Sequence, residues 1–331
     1  MGVSDASRVE GALDVGRPEE SSLDAIDAVA AGLTRAEYIP TRQIATAVYL
    51  GRELRKPILV EGPAGVGKTE LAKAAARLLA LPLIRMQCYE GLDESKALYE
   101  WKYGKQLLYT QLLKDRFGSA FDESDDLEAA LEKLRGFDDV FFSEQFLEAR
   151  PLLRALRQPG GAVLLIDEVD KSDEEFEAFL LEILSDFAVT IPELGTISAT
   201  TPPLAVLTSN NTRDLGDALK RRCLHLYIGY PDPRLEARIV DVHVPGVDAR
   251  LRAQLVAFVQ QLRSLELKKL PSVSETIDWA RVLLLLNVEE LDPEVVHQTL
   301  NVLLKFQDDV AAATKRVAEL VLKARDALVT G

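Results

Sequence analysis

The stretch "GPAGVGKT", Gly62 to Thr69, decides how this 331-residue chain is read. It fits G-x-x-x-x-G-K-[ST], and its flanks suit the pattern: the apolar strand-like "PILVEG" before it and the helix-forming "GKTELAKAAARLLA" after it. A backbone that curls until several N–H groups face one anion tolerates no side chain at Gly62, Gly65 or Gly67. The helix N-terminus behind it adds partial positive charge. Gly62, Pro63, Ala64, Gly65, Val66, Gly67, Lys68, Thr69 and Glu70 are therefore the candidate nucleotide cradle. Lys68 is expected to reach the β- and γ-phosphates of ATP, and the Thr69 hydroxyl to bind Mg2+.

Working outward, "LPLIRMQC", "GAVLLIDE", "PPLAVLTSN" and "CLHLYIGY" are further short apolar runs separated by helical patterns. The last three read as strands buried on both faces, and such alternation predicts a parallel α/β sheet. "VLLIDEVDK" ends a strand on Asp167 and Glu168, at the carboxyl end where ligands of open α/β sheets bind. Asp167 is the candidate Mg2+ ligand and Glu168 the candidate base for an attacking water. Beyond them, Ser172 and Glu175 read as a capping box. Phe176, Phe179, Leu180, Ile183, Leu184 and Phe187 then form one apolar helical face.

The strand "LAVLTSNN" ends on Asn210 and Asn211; either is able to orient a water against a phosphate, or to serve as a turn residue, and Asn210 is favoured. Lys220, Arg221 and Arg222 then run into "CLHLYI". Cations at a helix C-terminus are favoured by its dipole, so these arginines need no further role on residue grounds alone.

Together "GPAGVGKT", "LLIDEVDK", "LTSNN" and "ALKRRC" resemble the AAA+ ATPases, and within them the MoxR group, over about residues 40–290. The resemblance implies a P-loop sheet of five parallel strands in the order 5-1-4-3-2, a helical insertion and an all-helical C-terminal lid. It places the first sensor on Asn210 and an arginine finger on Arg222, with Arg221 the alternative, reaching the nucleotide of a neighbouring subunit. A homo-oligomeric ring, usually a hexamer, follows from that. The second-sensor arginine of the group falls on Ser274 here; Arg281, seven residues along the same helix face, is the candidate to replace it in contacting the nucleotide. MoxR-like proteins pair with a partner carrying a von Willebrand factor A domain and mature or activate metalloenzymes. "RMQCYEGLDESKALYEWKYGKQL" resembles the branch tied to carbon monoxide dehydrogenase maturation.

Three regions are expected. Residues 1–38 hold eight acids and three arginines and read as a flexible acidic lead or a loosely packed helix. Residues 39–230 form the α/β nucleotide-binding domain, with an insertion at about 92–159 and a hairpin at about 187–203. After the "YPDP" turn, residues 231–331 show only helical periodicity. The insertion holds ten of the chain's twenty-one aromatic residues, suited equally to a partner surface and to fastening the insertion to the core. Its stretch "FDESDDLEAALEKLRGFDD" reads as a solvated helix and loop.

The formal net charge of −14 argues against a nucleic-acid motor or loader, since such binding depends on Lys and Arg displacing counterions. A nucleotide-switch scaffold is the other alternative, and a small-molecule kinase lacks an acceptor site. Cys88 and Cys223 have no metal-ligand spacing and read as small buried hydrophobes in strands. No apolar run is long enough to span a membrane, and the expected setting is the cytoplasm. The composite expectation is an oligomeric, Mg2+-dependent ATPase that remodels a client protein.

Overall fold

The computed structural model describes residues 22–117, 142–192 and 194–326. Helices α1 (Ser22–Arg35) and α2 (Arg42–Glu53) precede β1 (Ile58–Glu61), α3 (Lys68–Leu79) and β2 (Leu83–Gln87). Next come α4 (Glu94–Ala97), β3 (Tyr99–Trp101) and α5 (Tyr103–Phe117), then β4 (Leu147–Ala149), α6 (Pro151–Leu156) and β5 (Val163–Asp167). The α/β part closes with α7 (Glu174–Asp186), β6 (Ala188–Ile191), β7 (Gly195–Ser198), β8 (Leu204–Ser209), α8 (Asp217–Arg222) and β9 (Leu224–Tyr227). From there the described chain is helical: α9 (Pro233–His243), α10 (Ala249–Arg263), α11 (Val273–Leu285), α12 (Pro293–Leu303), α13 (Gln307–Thr314) and α14 (Val317–Asp326).

The main sheet is parallel, in the order β2-β5-β8-β1-β9. Numbering its five strands along the chain gives 5-1-4-3-2, the expected P-loop AAA+ arrangement. Every residue of β5 and β8 is buried, as apolar runs between two helical layers should be. On β1 the pleat sends Leu59 into one core and Ile58 and Val60 into the other. Register aligns Gln87 with Asp167 and Glu61 with Ser209 and Tyr227, so the carboxyl ends share one rim above α3.

The edge strands differ from expectation. On β9 Leu226 is buried, whereas His225 and Tyr227 are exposed; the strand has β1 as its sole neighbour in the sheet, so it is not buried on both faces. The described part of the acidic lead takes the helical one of its two expected forms, more closely packed than expected. α1 packs on α2 and α3, with Ile26 and Leu33 buried and Val29 partly so. That spacing is a helical apolar stripe, hidden in the sequence by surrounding acids. The cap of α7 is corrected as well. Asp173, not Ser172, accepts from the Phe176 N–H at 2.8 Å, while Ser172 Oγ donates to the Val169 carbonyl at 2.7 Å. Ser172 thereby closes the turn Val169–Lys171, and the carboxylate one residue later takes the cap.

In the insertion, β3 pairs with β4, and Trp101 and Phe146 are buried. Within the insertion Trp101 meets Phe142 edge-on at 5.3 Å and Phe146 meets Tyr109 at 5.2 Å. Trp101 and Phe146 share one core cluster with Leu59, Ile84 and Leu164 of the main sheet, which fastens the insertion to it. Tyr103, Leu107, Leu108 and Leu112 on α5 are exposed. The acidic stretch at 121–139 lies outside the described residues. The expected hairpin forms from β6 and β7. Both cysteines are buried beside strands rather than within them: Cys88 follows β2 and Cys223 precedes β9. Burial pushes each thiol up to about 12.

The helical region has its own core around Phe258, Trp279, Leu255 and Leu300. It is also pinned by a buried ion pair. Arg263 on α10 donates to both carboxylate oxygens of Glu236 on α9, at 2.6 and 2.7 Å. Thr276 on α11 and Gln260 on α10 complete the carboxylate's partners. Among the described residues no helix is long and apolar enough to cross a membrane.

Candidate functional site

The loop between β1 and α3 folds as the glycines require. Gly62 has φ of 146°, and a Cβ there would strike the Ile228 carbonyl beside β9. Gly65, with φ of 73°, lies against Ser272 of the helical region, where a Cβ would collide with its hydroxyl. Ser274 adds to that contact, its N–H and hydroxyl each approaching the Gly65 carbonyl at 3.3 Å. The helical region therefore touches the phosphate loop directly.

Lys68 is 6 % exposed and spends its three donors on its own chain. Its Nζ lies 2.7 Å from the carbonyls of Gly62 and Pro63 and from Asn210 Oδ1. Burial lowers its pKa from the ordinary lysine value, against the pull of Asp170, Asp167 and Glu168. Asp167 closes β5 and is buried. Its Oδ1 accepts from Thr69 Oγ1 at 3.0 Å and from Thr208 Oγ1 at 2.6 Å. Its Oδ2 accepts from Arg85 of β2 at 2.6 Å.

Glu168 sits in the left-handed region, φ 57° and ψ 49°, which a non-glycine residue holds only when its surroundings impose it. Its N–H donates to Thr208 Oγ1 at 2.9 Å. Its carboxylate accepts from Gln87 at 2.8 Å, from Lys171 at 2.6 Å and from Asn210 Nδ2 at 3.3 Å. Asn210 thus bridges Lys68 and Glu168. Asn211 instead turns back on Ser209, with φ of 55°, as a turn residue does. The loop is held to β5 by Asp170, whose Oδ2 accepts from the Thr212 N–H at 3.0 Å and hydroxyl at 2.6 Å. Burial raises the Asp170 pKa, but these bonds outweigh it and leave the carboxyl below its ordinary value.

Two adjoining clefts open here. The first, about 330 Å³, is lined by Lys68, Thr69, Arg85, Gln87, Asp167, Glu168 and Asn210 with Ala64, Gly65, Gly67, Glu70 and Ser274. The second, about 770 Å³, shares Gly65, Gly67, Glu70 and Ser274. Tyr38, Ile39, Val66, Ile228, Tyr230 and Ile277 give it apolar walls. Glu70 pairs with Lys73 at 3.1 Å and with Arg77 at 2.9 Å. One buried carboxylate beside two hydroxyls is an all-oxygen set suited to a small hard cation that keeps most of its water.

The structure brings together Lys68, Thr69, Asp167, Glu168 and Asn210. Arg281 lines the larger cleft, paired with Asp278 at 3.0 Å, and does not line the phosphate-side cleft. Arg221 and Arg222 line neither cleft. Arg222 contacts Ser185 of α7, whereas Arg221 is exposed without a hydrogen bond or ion pair among the described residues. Sequence reading missed Arg85, Gln87, Thr208 and Asp170. Alternation along β2 carried a usable signal: Leu83, Arg85 and Gln87 point one way, Ile84 and Met86 the other.

Residues 57–223, just over half of the chain, match the family described as AAA domain (dynein-related subfamily). The denitrification regulatory protein NirQ of Pseudomonas aeruginosa is 26 % identical over 227 residues, covering 66 % of this chain and 72 % of that protein. NirQ of Stutzerimonas stutzeri is 25 % identical over 227 residues, covering 66 % and 68 %. An uncharacterized protein of Staphylococcus aureus is 23 % identical over 239 residues, covering 70 % and 77 %. Among solved structures, a P216G mutant of Thermotoga maritima RuvB covers 81 % of this chain and 70 % of its own, with a TM-score of 0.46 and 16 % identity.

Proposed function

The chain belongs to the AAA domain (dynein-related subfamily) family, and from that premise we propose that it hydrolyses ATP with Mg2+ as a homo-oligomeric ring. The observation that carries this reading is the convergence of Lys68, Asp167, Glu168 and Asn210 on one cleft at the rim of the sheet. The backbone N–H groups of the loop and Lys68 hold the phosphates, and Lys68 gives up its bonds to Gly62 and Pro63 to do so. The apolar walls of the larger cleft take the base. Thr69 and Asp167 hold Mg2+, which when bound neutralises charge on the phosphate oxygens. Glu168 takes a proton from the attacking water, and Asn210, already between Lys68 and Glu168, orients that water.

The product of turnover is motion passed to another protein. Ser274 and Ser272 against Gly65 provide the mechanical link, since a change at the loop is felt at once by the helical region. Two relatives are named as denitrification regulatory proteins. That supports a regulatory role; activating or maturing a client, of the MoxR kind and with a von Willebrand factor A partner, rests on the resemblance of "GPAGVGKT", "LLIDEVDK", "LTSNN" and "ALKRRC" to that group. The formal net charge of −14 argues against movement along nucleic acid, and the cytoplasm is the fitting compartment. Arg222, with Arg221 beside it, would complete the site of the neighbouring subunit. Arg221 is the freer of the two, because Arg222 has first to leave Ser185.

Lys68→Ala tests the site itself. Removing the buried ammonium is expected to weaken ATP affinity on the order of tenfold or more, the scale of a lost charge-assisted hydrogen bond. Fluorescent-nucleotide titration measures it, and unchanged affinity would remove this cleft as the nucleotide site.

A further inference from the structure

Arg85 has no place in the mechanism above, yet its contact with Asp167 is as short as that of Thr208, at 2.6 Å. Both hydroxyls on Asp167, from Thr69 and Thr208, meet Oδ1. Among the described residues only Arg85 meets Oδ2, and it is the cation in direct contact with the carboxylate, whereas Lys68 acts on it from farther away. A buried carboxylate without a cation is costly, so in the absence of metal the guanidinium supplies the compensation. The same Arg85 nitrogen also donates to Gln87 Oε1 at 2.8 Å, and Gln87 Nε2 donates to Glu168. One guanidinium therefore joins the carboxylate that would hold the metal to the carboxylate that would act as base.

We propose that Arg85 is a resident stand-in for the divalent cation: it neutralises Asp167 when no metal is there and yields that carboxylate when metal enters. The proposal rests on the nucleotide-site reading above. Arg85 is built for the exchange. It is half exposed, on an edge strand, so it can swing away without unpacking a core, while Asp167 stays fixed and buried. When Arg85 leaves Oδ2 it also withdraws its bond from Gln87, which slackens the hold on Glu168. The geometry thus ties metal occupancy to release of the base through three adjacent side chains on one rim.

The consequence is a dampened metal dependence of nucleotide binding. In the wild-type chain Arg85 fills part of the metal's electrostatic role, so affinities with and without metal lie closer than they otherwise would. The test is titration of the full chain with fluorescently labelled ADP, once in excess EDTA and once in excess Mg2+. The readout is the ratio of the two dissociation constants, which needs no turnover. Arg85→Gln is expected to enlarge the ratio about fivefold, the scale of a half-exposed ion pair. Binding should weaken in EDTA, where Asp167 is left uncompensated, and tighten in Mg2+. Arg85→Lys, which keeps a cation, should stay near the wild-type ratio. An unchanged ratio in Arg85→Gln overturns the proposal. So does an equal loss of affinity in both buffers, which would make Arg85 a phosphate contact. If the wild-type chain binds no ADP in either buffer, the site reading falls, and this proposal with it.

Discussion

Glu168→Gln is expected to lower the turnover number for ATP by about 10²–10⁴-fold, the range of a lost general base, while ATP still binds. The substitution keeps the size and reach of the side chain; Gln87 and Asn210 use different oxygens of Glu168, so the single amide oxygen of glutamine keeps one of those two bonds. What it removes is the ability to accept a proton from water. Lys171 loses its ion pair with Glu168, but that pair is substantially exposed and adds little to stability. Phosphate release under saturating ATP and Mg2+ measures the effect, with nucleotide affinity measured in parallel. Turnover within a fewfold of wild type would mean that Glu168 is not the base, and would favour the nucleotide-switch alternative.

The second large effect concerns stability. Arg263→Ala is expected to cost about 3–5 kcal/mol, because it leaves the Glu236 carboxylate charged and buried without its cation. Glu236 is fully buried, and Arg263 nearly so. Thr276 and Gln260 still donate to it, but neither carries charge. Arg263 also stacks over Tyr230 at 4.8 Å from the ring centre, so its loss loosens the junction between the sheet and the helices as well. Urea unfolding followed by tryptophan fluorescence in a Trp101→Phe background, which leaves Trp279 of the helical core as the reporter, reads the loss. Replacing both partners, Glu236→Leu with Arg263→Met, should recover much of it, since an apolar pair carries no desolvation penalty. A loss below about 1 kcal/mol in Arg263→Ala would show that the neutral donors Thr276 and Gln260, with water, suffice for the carboxylate.

The site divides into parts that local chemistry dictates and parts that only tertiary packing reveals. Gly62 to Thr69 was legible because phosphate binding imposes a loop conformation that few residues allow, between a strand and a helix that also have local signatures. Asp167, Glu168 and Asn210 were legible because each ends an apolar run, and strand ends in such sheets gather at one rim. The sheet order followed from the resemblance and holds. Arg85 and Gln87 were harder. Alternation placed them on one side of β2, but only the pairing of that strand with β5 and the contact of Arg85 with Asp167 show that this side faces the Asp167 carboxylate. Asp170 was not singled out, because its partner, Thr212, is remote in sequence. On α1 a helix was one of two expected forms, but its close packing was not read, since the eye follows its acids and not the stripe Ile26, Val29, Leu33. At Ser172 two capping residues stood side by side, and sequence alone does not choose between a hydroxyl and the carboxylate at Asp173. Arg221 and Arg222 remain legible only as a pair, because their proposed partner belongs to another copy of the chain.

The account centres on ATP turnover at sites completed between subunits, and subunit mixing tests that most directly. Arg222→Ala chains keep Lys68 and their own phosphate loop; Lys68→Ala chains keep the arginine. Each preparation alone is expected to be nearly inactive. Mixed in equal amounts, they should regain phosphate release, because some interfaces then pair an intact loop with an intact arginine. Full activity of Arg222→Ala alone, or no recovery in rings shown to contain both chains, would contradict the account.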